Sequence, residues 1–441
     1  MTDTHLRPYQ QAAAAAILRA VGAGIGGTYC LMMARQSGKN ETSAWLERAL
    51  LLRYLAEHRT GIKCAPTLAP QAHLSRQRLV RLLQQAAIPH RDIDPWVTVM
   101  RSRWGFLSAA KDSNVVGQTA DILLECDEAQ DVDPEKFDKD FRPMAASTNS
   151  PVAYYGTPWT DSDLLAQAAA VAADQQTPNQ PHLFVVPWTV PAETLPAYAR
   201  FVTAERDRLG ANHPLFLTQY EMKTIPSAGR LLTAAHLAAI HGHHPRLAAP
   251  LARDHYAAGV DVAGDASSAG DSTVLTIARL RWPEGPGTPP NAEVVTAFEW
   301  TGTPHGTLYP AIAALARAWR LRRIAVDTTG LGEALALYLE RALAGDIVIP
   351  VRFTERTKSD LGYAFQAAAA TGRFTIWAAD GSPERAALVD QLTRCRATYK
   401  PNRLVGWSVP ASEGHDDYAV SAALLNKAAE AAPAPRIARA L

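Results

Sequence analysis

Ile122-Leu123-Leu124-Glu125-Cys126-Asp127-Glu128-Ala129-Gln130 decides how this chain is to be read. A short apolar run that meets two acids reads as a buried strand with charge at its carboxyl end, where ligands gather in parallel sheets. An Asp there can hold Mg²⁺ through oxygen, and a Glu beside it can polarise a water. That is the Walker B and catalytic-glutamate pattern of a nucleotide hydrolase. Taken alone, the stretch is equally an edge strand running into an acidic helix start, because short motifs match by chance. The surrounding elements have to discriminate.

Upstream, Gly27-Thr28-Tyr29-Cys30-Leu31-Met32-Met33 reads as a strand, followed by Ala34-Arg35-Gln36-Ser37-Gly38-Lys39-Asn40 and a helix over about residues 43–56. Strand, Gly-Lys loop and helix turn backbone N–H groups toward phosphates, with Lys39 reaching between them. The loop departs from the consensus twice. Met33 stands at the first Gly position, and Asn40 replaces the Ser/Thr whose hydroxyl would touch Mg²⁺. Before the strand, Tyr9 and Gln10 precede an alanine-rich helix over residues 11–21. The Gln10 amide can donate and accept, which suits an adenine edge or simply a polar helix start. Further strands are expected at residues 61–67, 106–110 and 151–156, the last ending in Gly156-Thr157-Pro158. A threonine in such a turn can sense a γ-phosphate. Strands alternating with helices argue for an α/β sheet.

The chain has 441 residues, which makes two domains the natural expectation. Hydrophobic residues are 47% and charged ones 20%, the balance of a soluble globular protein. A formal net charge of +1 means that any polyanion would meet a local basic patch. Cys30, Cys64, Cys126 and Cys395 are widely spaced and read as free thiols of a reducing cytoplasm. The first ten residues carry Asp3, His5 and Arg7 and read as no signal peptide, and no stretch is apolar enough for a membrane span. The expected divisions are a first domain at 1–225, a connection at 226–250, a second domain at 251–428 and a tail at 429–441 with Arg436 and Arg439. His236, His241, His243 and His244 fall in the Ala/Pro-rich connection and read as solvated, with no Cys or acid among them to fix a metal.

The second half repeats the theme of acids on strands. Residues 257–263 form an apolar strand with Asp261 at its centre, and a loop with Asp265 and Asp271 leads to a strand over 273–280. Asp327 ends the strand 323–327, and Asp416 and Asp417 open a helix. An acid in an apolar strand is costly unless paired or bound to metal. The strand-strand-strand-helix-strand-helix order fits the ribonuclease H fold, whose acids converge at one sheet edge. Three carboxylates from separate elements can hold two divalent ions, and hard oxygen ligands suit Mg²⁺ or Mn²⁺. Which of Asp416 and Asp417 is the ligand stays open. Lys358, in a turn after a strand over 348–353, has the charge to neutralise a phosphate.

The order of parts over residues 6–428 resembles the large subunits of bacteriophage terminases. The matching pieces are Arg35-Gln-Ser-Gly-Lys-Asn, Ala65-Pro66-Thr67 with Gln71, Leu123-Leu-Glu-Cys-Asp-Glu-Ala, Gly156-Thr157-Pro158, Gly259-Val-Asp261, Val326-Asp327 and His415-Asp416-Asp417. The resemblance implies an N-terminal P-loop ATPase domain, ASCE-type and RecA-like, followed by a ribonuclease H-like α/β nuclease domain. It implies that Gln10, Arg35, Gln36, Ser37, Gly38, Lys39, Asn40, Asp127, Glu128, Gly156 and Thr157 serve ATP and Mg²⁺. Lys39 would bind phosphates, Asp127 the metal and Glu128 the water, with Arg35 a charge stabiliser. Asp261, Asp327, Asp416 and Asp417, with Asp271 as an auxiliary acid, would hold two Mg²⁺ or Mn²⁺ ions. The implied partners are double-stranded DNA, a portal protein, a small terminase subunit and further copies in a ring, in the host cytoplasm. A repair-type helicase would need a second Gly-Lys loop, which the sequence lacks. A decayed DNA-binding scaffold is the other alternative that Met33 and Asn40 raise.

Overall fold

The computed structural model describes residues 6–115, 117–263, 272–283, 289–343 and 346–435. The chain divides into two compact units, residues 1–204 with 214–227 and residues 205–213 with 228–441. Residues 228–250, read from sequence as a connection, contribute a strand and a short helix to the second unit.

The first unit is built on an eight-stranded sheet. Its strands are β1 (Thr28–Met33), β2 (Thr60–Ala65), β3 (Arg91–Ile93), β4 (Trp96–Val99), β5 (Ser102–Ser108), β6 (Leu124–Cys126), β7 (Val152–Gly156) and β8 (Leu183–Val186). Their order is β3-β4-β5-β2-β6-β7-β1-β8, and every pair from β5 to β8 is parallel. All carboxyl ends of that parallel block therefore share one edge. Strand β7 lies between β1, which feeds the Gly-Lys loop, and β6, which carries Asp127 and Glu128 just beyond its end.

Alternation along β1 explains why the sheet needs helices on both faces. Tyr29, Leu31 and Met33 pack with α1 (Pro8–Ala23), α2 (Lys39–Arg53) and α3 (His73–Gln85). Cys30 and Met32 point the other way, into a core with Phe137, Phe141 and α4 (Leu164–Gln175). The meander Arg91–Ser108 extends the sheet by antiparallel hairpins.

The second unit carries a six-stranded sheet, β14-β13-β10-β11-β12-β15. Here β9 is Ala228–Arg230, β10 His255–Asp261, β11 Ser272–Arg281, β12 Asn291–Thr301, β13 Leu321–Asp327, β14 Val348–Val351 and β15 Phe374–Ile376. Strands β10, β11 and β12 are antiparallel, whereas β13 runs parallel to β10 and β14 parallel to β13. The helices are α5 (Ala234–Ala239), α6 (His305–Ala318), α7 (Gly332–Ala342), α8 (Glu355–Ala370), α9 (Pro383–Arg394) and α10 (Asp417–Glu430). Helices α6 and α7 cover one face, and α8, α9 and α10 the other. A small sheet of β9, β16 (Arg396–Tyr399) and β17 (Val405–Ser408) completes the unit.

Helix α10 is buried along almost its whole length, which requires the sheet to receive it closely. Gly259, in the middle of β10, makes that possible: a Cβ there would overlap the backbone of Ser421 and Leu425. Ser421 Oγ also donates to the Gly259 carbonyl at 3.0 Å. This contact brings the start of α10 to the end of β10. Gly259→Val should cost about 1–3 kcal/mol or more by overpacking, read as a lower urea midpoint in far-UV circular dichroism. An unchanged midpoint would contradict the close seat of α10.

Candidate functional sites, one in each unit

In the first unit, β1 ends at Met33, which is fully buried among α2 and sheet side chains. The first consensus Gly position is therefore a strand residue, and the loop begins only at Ala34. Gln36 and Gly38 take left-handed backbone with φ 65° and 92°, and Lys39 opens α2 directly. The helix thus starts four residues before the expected 43. The loop is propped from below. Tyr9 Oη donates to the Ser37 carbonyl at 2.7 Å, Ser37 Oγ to the Ala34 carbonyl at 2.6 Å, and Gln10 Nε2 to the Gly38 carbonyl at 2.9 Å. Gln10 Oε1 also accepts from the Arg7 N–H at 2.7 Å, so its amide caps the start of α1 and holds the loop at once.

Lys39 Nζ bonds Glu128 Oε1 at 2.8 Å, joining the loop after β1 to the turn after β6. Asp127 is nearly buried; its carboxylate accepts from Ser75 Oγ at 3.1 Å and from the Glu128 N–H at 3.0 Å. Asn40 Oδ1 is buried with no hydrogen-bond partner among the described residues. An orphaned amide oxygen at the start of α2, with Asp127 on the adjoining edge, is a donor set of hard oxygens that fits a divalent cation. Arg35 is exposed; its Nη1 donates to Gln219 Oε1 at 3.3 Å, and its carbonyl accepts from Tyr198 Oη at 2.9 Å. Thr157, buried after β7, donates its backbone N–H to Gln130 Oε1 at 3.2 Å.

Beneath this edge lies a charge cluster that sequence reasoning missed. Lys63 on β2 is 2% exposed, while Glu47 on α2 and Glu125 on β6 are wholly buried. Lys63 Nζ donates to Glu47 Oε1 at 2.9 Å and to Ser43 Oγ at 2.7 Å, and Ser43 lies 2.7 Å from Glu125 Oε1. The available signal was a lysine inside an apolar strand, which burial forbids unless it is paired. Burial works against the Lys63 charge, but Glu47, Glu125 and Asp127 outweigh it and hold the ammonium above the usual lysine range. Burial, reinforced by Glu47 and opposed by Lys63, pushes Glu125 up to about 8.

In the second unit Asp261 is the last residue of β10, not its centre as the sequence suggested. Asp327 ends the neighbouring parallel strand β13 and accepts from the Thr329 N–H at 2.8 Å. Asp416 is the N-cap residue of α10 and Asp417 its first residue; Asp417 Oδ2 accepts from the Ser272 N–H at 3.2 Å. The four carboxyls therefore come from two adjacent strand ends and one helix start. Burial, reinforced by Asp417, Asp327 and Asp416, drives Asp261 well above the usual carboxylate range, and Lys358 opposes it. Asp327 is also raised, by burial. Like charges gathered in this way fit a divalent cation, although no group of three or more His, Cys, Asp or Glu among the described residues is already drawn together as a metal-binding cluster. Asp265 and Asp271, like Arg436 and Arg439, lie outside the described residues.

Lys358 sits on α8, one turn past the Thr354 cap, and not in the expected turn. Its Nζ is 4.0 Å from Asp416 Oδ2 and lies 5.2 Å from the Trp407 ring centre. Of the four histidines expected to be solvated, His241 and His243 are exposed, whereas His244 Nε2 is 2.7 Å from the Val294 carbonyl and His236 is buried in the capping box of α5. Among the described residues, no helix is long and apolar enough to cross a membrane.

No family model matches the sequence, and no curated protein matches it. Among solved structures, the large terminase of a thermophilic bacteriophage is similar over 96% of this chain and 99% of its own, at 10% identity and a TM-score of 0.52. The fold is that of a phage large terminase. The same thermophilic phage protein in complex with ADP matches at 10% identity and TM-score 0.49, over 96% of this chain and 99% of that one. The large terminase of bacteriophage HK97 matches at 16% identity and TM-score 0.40, over 97% of this chain and 95% of that one.

The buried cluster yields a pH test. Glu125 titrates near 8 in the fold and near 4.5 otherwise, so the folded chain holds an extra proton between those values. Its contribution to stability is complete below the lower value, falls as pH rises and is gone above the upper one. Glu125→Gln keeps the neutral shape and removes that slope. Thermal midpoints of the wild type should fall more between pH 6 and pH 9 than those of the variant; equal falls would contradict a neutral buried Glu125.

Proposed function

We propose that the chain is a large terminase subunit: an ATP-driven translocase of double-stranded DNA into a viral procapsid, with an endonuclease that cuts concatemeric DNA to length. The observation that carries this is the pairing of two acidic edges in one chain of terminase fold. One edge is a phosphate-loop edge with Lys39 and Glu128 in contact, and the other is a ribonuclease H-like edge with Asp261, Asp327, Asp416 and Asp417.

In the first unit, the N–H groups at the start of α2 and the Lys39 ammonium receive the nucleotide phosphates. Glu128 orients and polarises the attacking water, and Arg35, exposed on the loop, stabilises charge at the γ-phosphate. Asp127 and Asn40 would hold a Mg²⁺ ion, which supplies charge neutralisation between the phosphates. The turn at Gly156-Thr157 passes the change at the phosphates to the rest of the unit. Moving Lys39 from Glu128 to phosphate frees the carboxylate for water, so binding and activation are linked through one ion pair.

In the second unit, the four carboxyls would hold two Mg²⁺ or Mn²⁺ ions, which supply an activated water and stabilise the leaving 3′ oxygen. Lys358 moderates their repulsion and offers a cation to a DNA phosphate. The mixed order of the second sheet argues against a helicase, which would need a second parallel nucleotide-binding sheet. DNA contact of this kind is to phosphates and weakens steeply with salt. The partners of this role are a portal protein, a small terminase subunit and further copies in a ring, in the host cytoplasm.

Two assays test the reading. Lys39→Ala or Glu128→Ala should lower Mg²⁺-dependent ATP hydrolysis by about 100-fold or more; retained turnover in either would remove the phosphate site. Asp261→Asn or Asp327→Asn should abolish Mn²⁺-dependent nicking and linearisation of plasmid while leaving ATP hydrolysis intact. Undiminished cleavage would sink the nuclease assignment.

A further inference from the structure

Glu128 is held in left-handed backbone, with φ 47° and ψ 48°, a conformation that costs a non-glycine residue on the order of 1 kcal/mol and gathers at functional sites. Its side chain is gripped at both oxygens. Lys39 takes Oε1, and the buried Gln130 donates its amide N–H to Oε2 at 2.8 Å. The same Gln130 nitrogen donates to Asp131 Oδ2 at 3.0 Å, and its carbonyl accepts the Thr157 N–H at 3.2 Å. A glutamine amide offers two donors and one acceptor, and here all of them are engaged. Gly156 belongs to the same arrangement, since a Cβ on it would overlap Gln130 Oε1 and Leu165.

We propose that Gln130 is the positioning residue that couples the water-activating carboxylate of Glu128 to the exit turn of β7. The inference rests on the ATPase reading of this site and deepens it. A chain of contacts runs from Lys39 to Glu128, to Gln130 and to the Thr157 backbone, so a shift at the phosphates reaches the neighbouring strand through one rigid planar amide. A phosphate that draws Lys39 away leaves Glu128 tied to Gln130, and any rotation of Glu128 pulls on the Thr157 N–H. Gln130 touches no reacting atom; it fixes the angle at which Glu128 meets water.

The test is steady-state ATP hydrolysis by the full chain with Mg²⁺, together with equilibrium binding of a fluorescent ATP analogue. Lys39→Ala serves as the control, alongside Gln130→Met, which keeps the shape and loses the bonds, and Gln130→Glu. The glutamate can still accept from Thr157 but sets a carboxylate against Glu128. Gln130→Met should lower kcat about 10- to 100-fold with nucleotide affinity within about twofold, the pattern of an interaction used only in the transition state. Gln130→Glu should fall as far, because the donor arm is lost. Gly156→Ala should also lower kcat, and combined with Gln130→Met should lower it no further than the worse single variant. Turnover that survives in Lys39→Ala overturns both the ATPase reading and this inference. Turnover lost in Lys39→Ala but kept within twofold in Gln130→Met overturns the inference alone. So does a matched loss of kcat and affinity, which marks a packing role.

Discussion

A single buried ammonium organises the first unit. Lys63 sits inside the sheet where water cannot reach, and an uncompensated charge there costs several kcal/mol. It is tolerated because Glu47 from α2 and Ser43 from the same helix bond it, while Glu125 from β6 and Tyr155 from β7 crowd the same space. The network ties the helix that follows the Gly-Lys loop to the strands that lead to Asp127 and Thr157. Removing Lys63 would leave Glu47 buried without its cation, so α2, β2 and β6 hold their mutual register as a set. The Lys39–Glu128 contact above it is then a consequence of where α2 and β6 have been fixed.

The second unit handles buried charge in the opposite way. Asp417, Asp327 and Asp416 press on the buried Asp261, and Lys358 is the cation that opposes them there. Mutual satisfaction in the first unit makes a structural brace. Repulsion in the second gathers on Asp261, at the junction of β10, β13 and the start of α10. Glycine solves the geometric problem in both: Gly259 admits α10 to the sheet, and Gly156 clears space for Gln130.

What the sequence made legible were the strands that bury both faces and end in polar groups. β1, β6, β7, β10 and the second half of β13 are short, largely apolar runs, and the expected acids and the Gly-Lys loop sit at or just past their carboxyl ends. The meander from Arg91 to Ser108 was missed over most of its length. Its first strand is exposed, so burial leaves no alternation to read there. Residues 228–250 read as a connection because Ala, His and Pro carry no period, yet β9 pairs with β16 and Thr233 caps α5. Their order comes from docking, which composition does not record. Gln130 was passed over because, two residues beyond Glu128, a glutamine looks like an ordinary helix start. Its meaning depends on Thr157, 27 residues away.

The two departures of the Gly-Lys loop from consensus acquire separate explanations. A glycine at the first position gives a loop room to turn early, but here the strand continues through that position and Met33 fills core instead. The turn is made later, at Gln36 and Gly38, and Tyr9 and Gln10 of α1 support it from outside the loop. Asn40 replaces a hydroxyl by an amide oxygen, which is also a hard ligand and which the surrounding side chains leave unsatisfied. Buried polar atoms without partners are uncommon because each costs about 1–3 kcal/mol. Both substitutions are thus accommodated by the fold: the turn is displaced along the chain, and Asn40 keeps an oxygen at the start of α2.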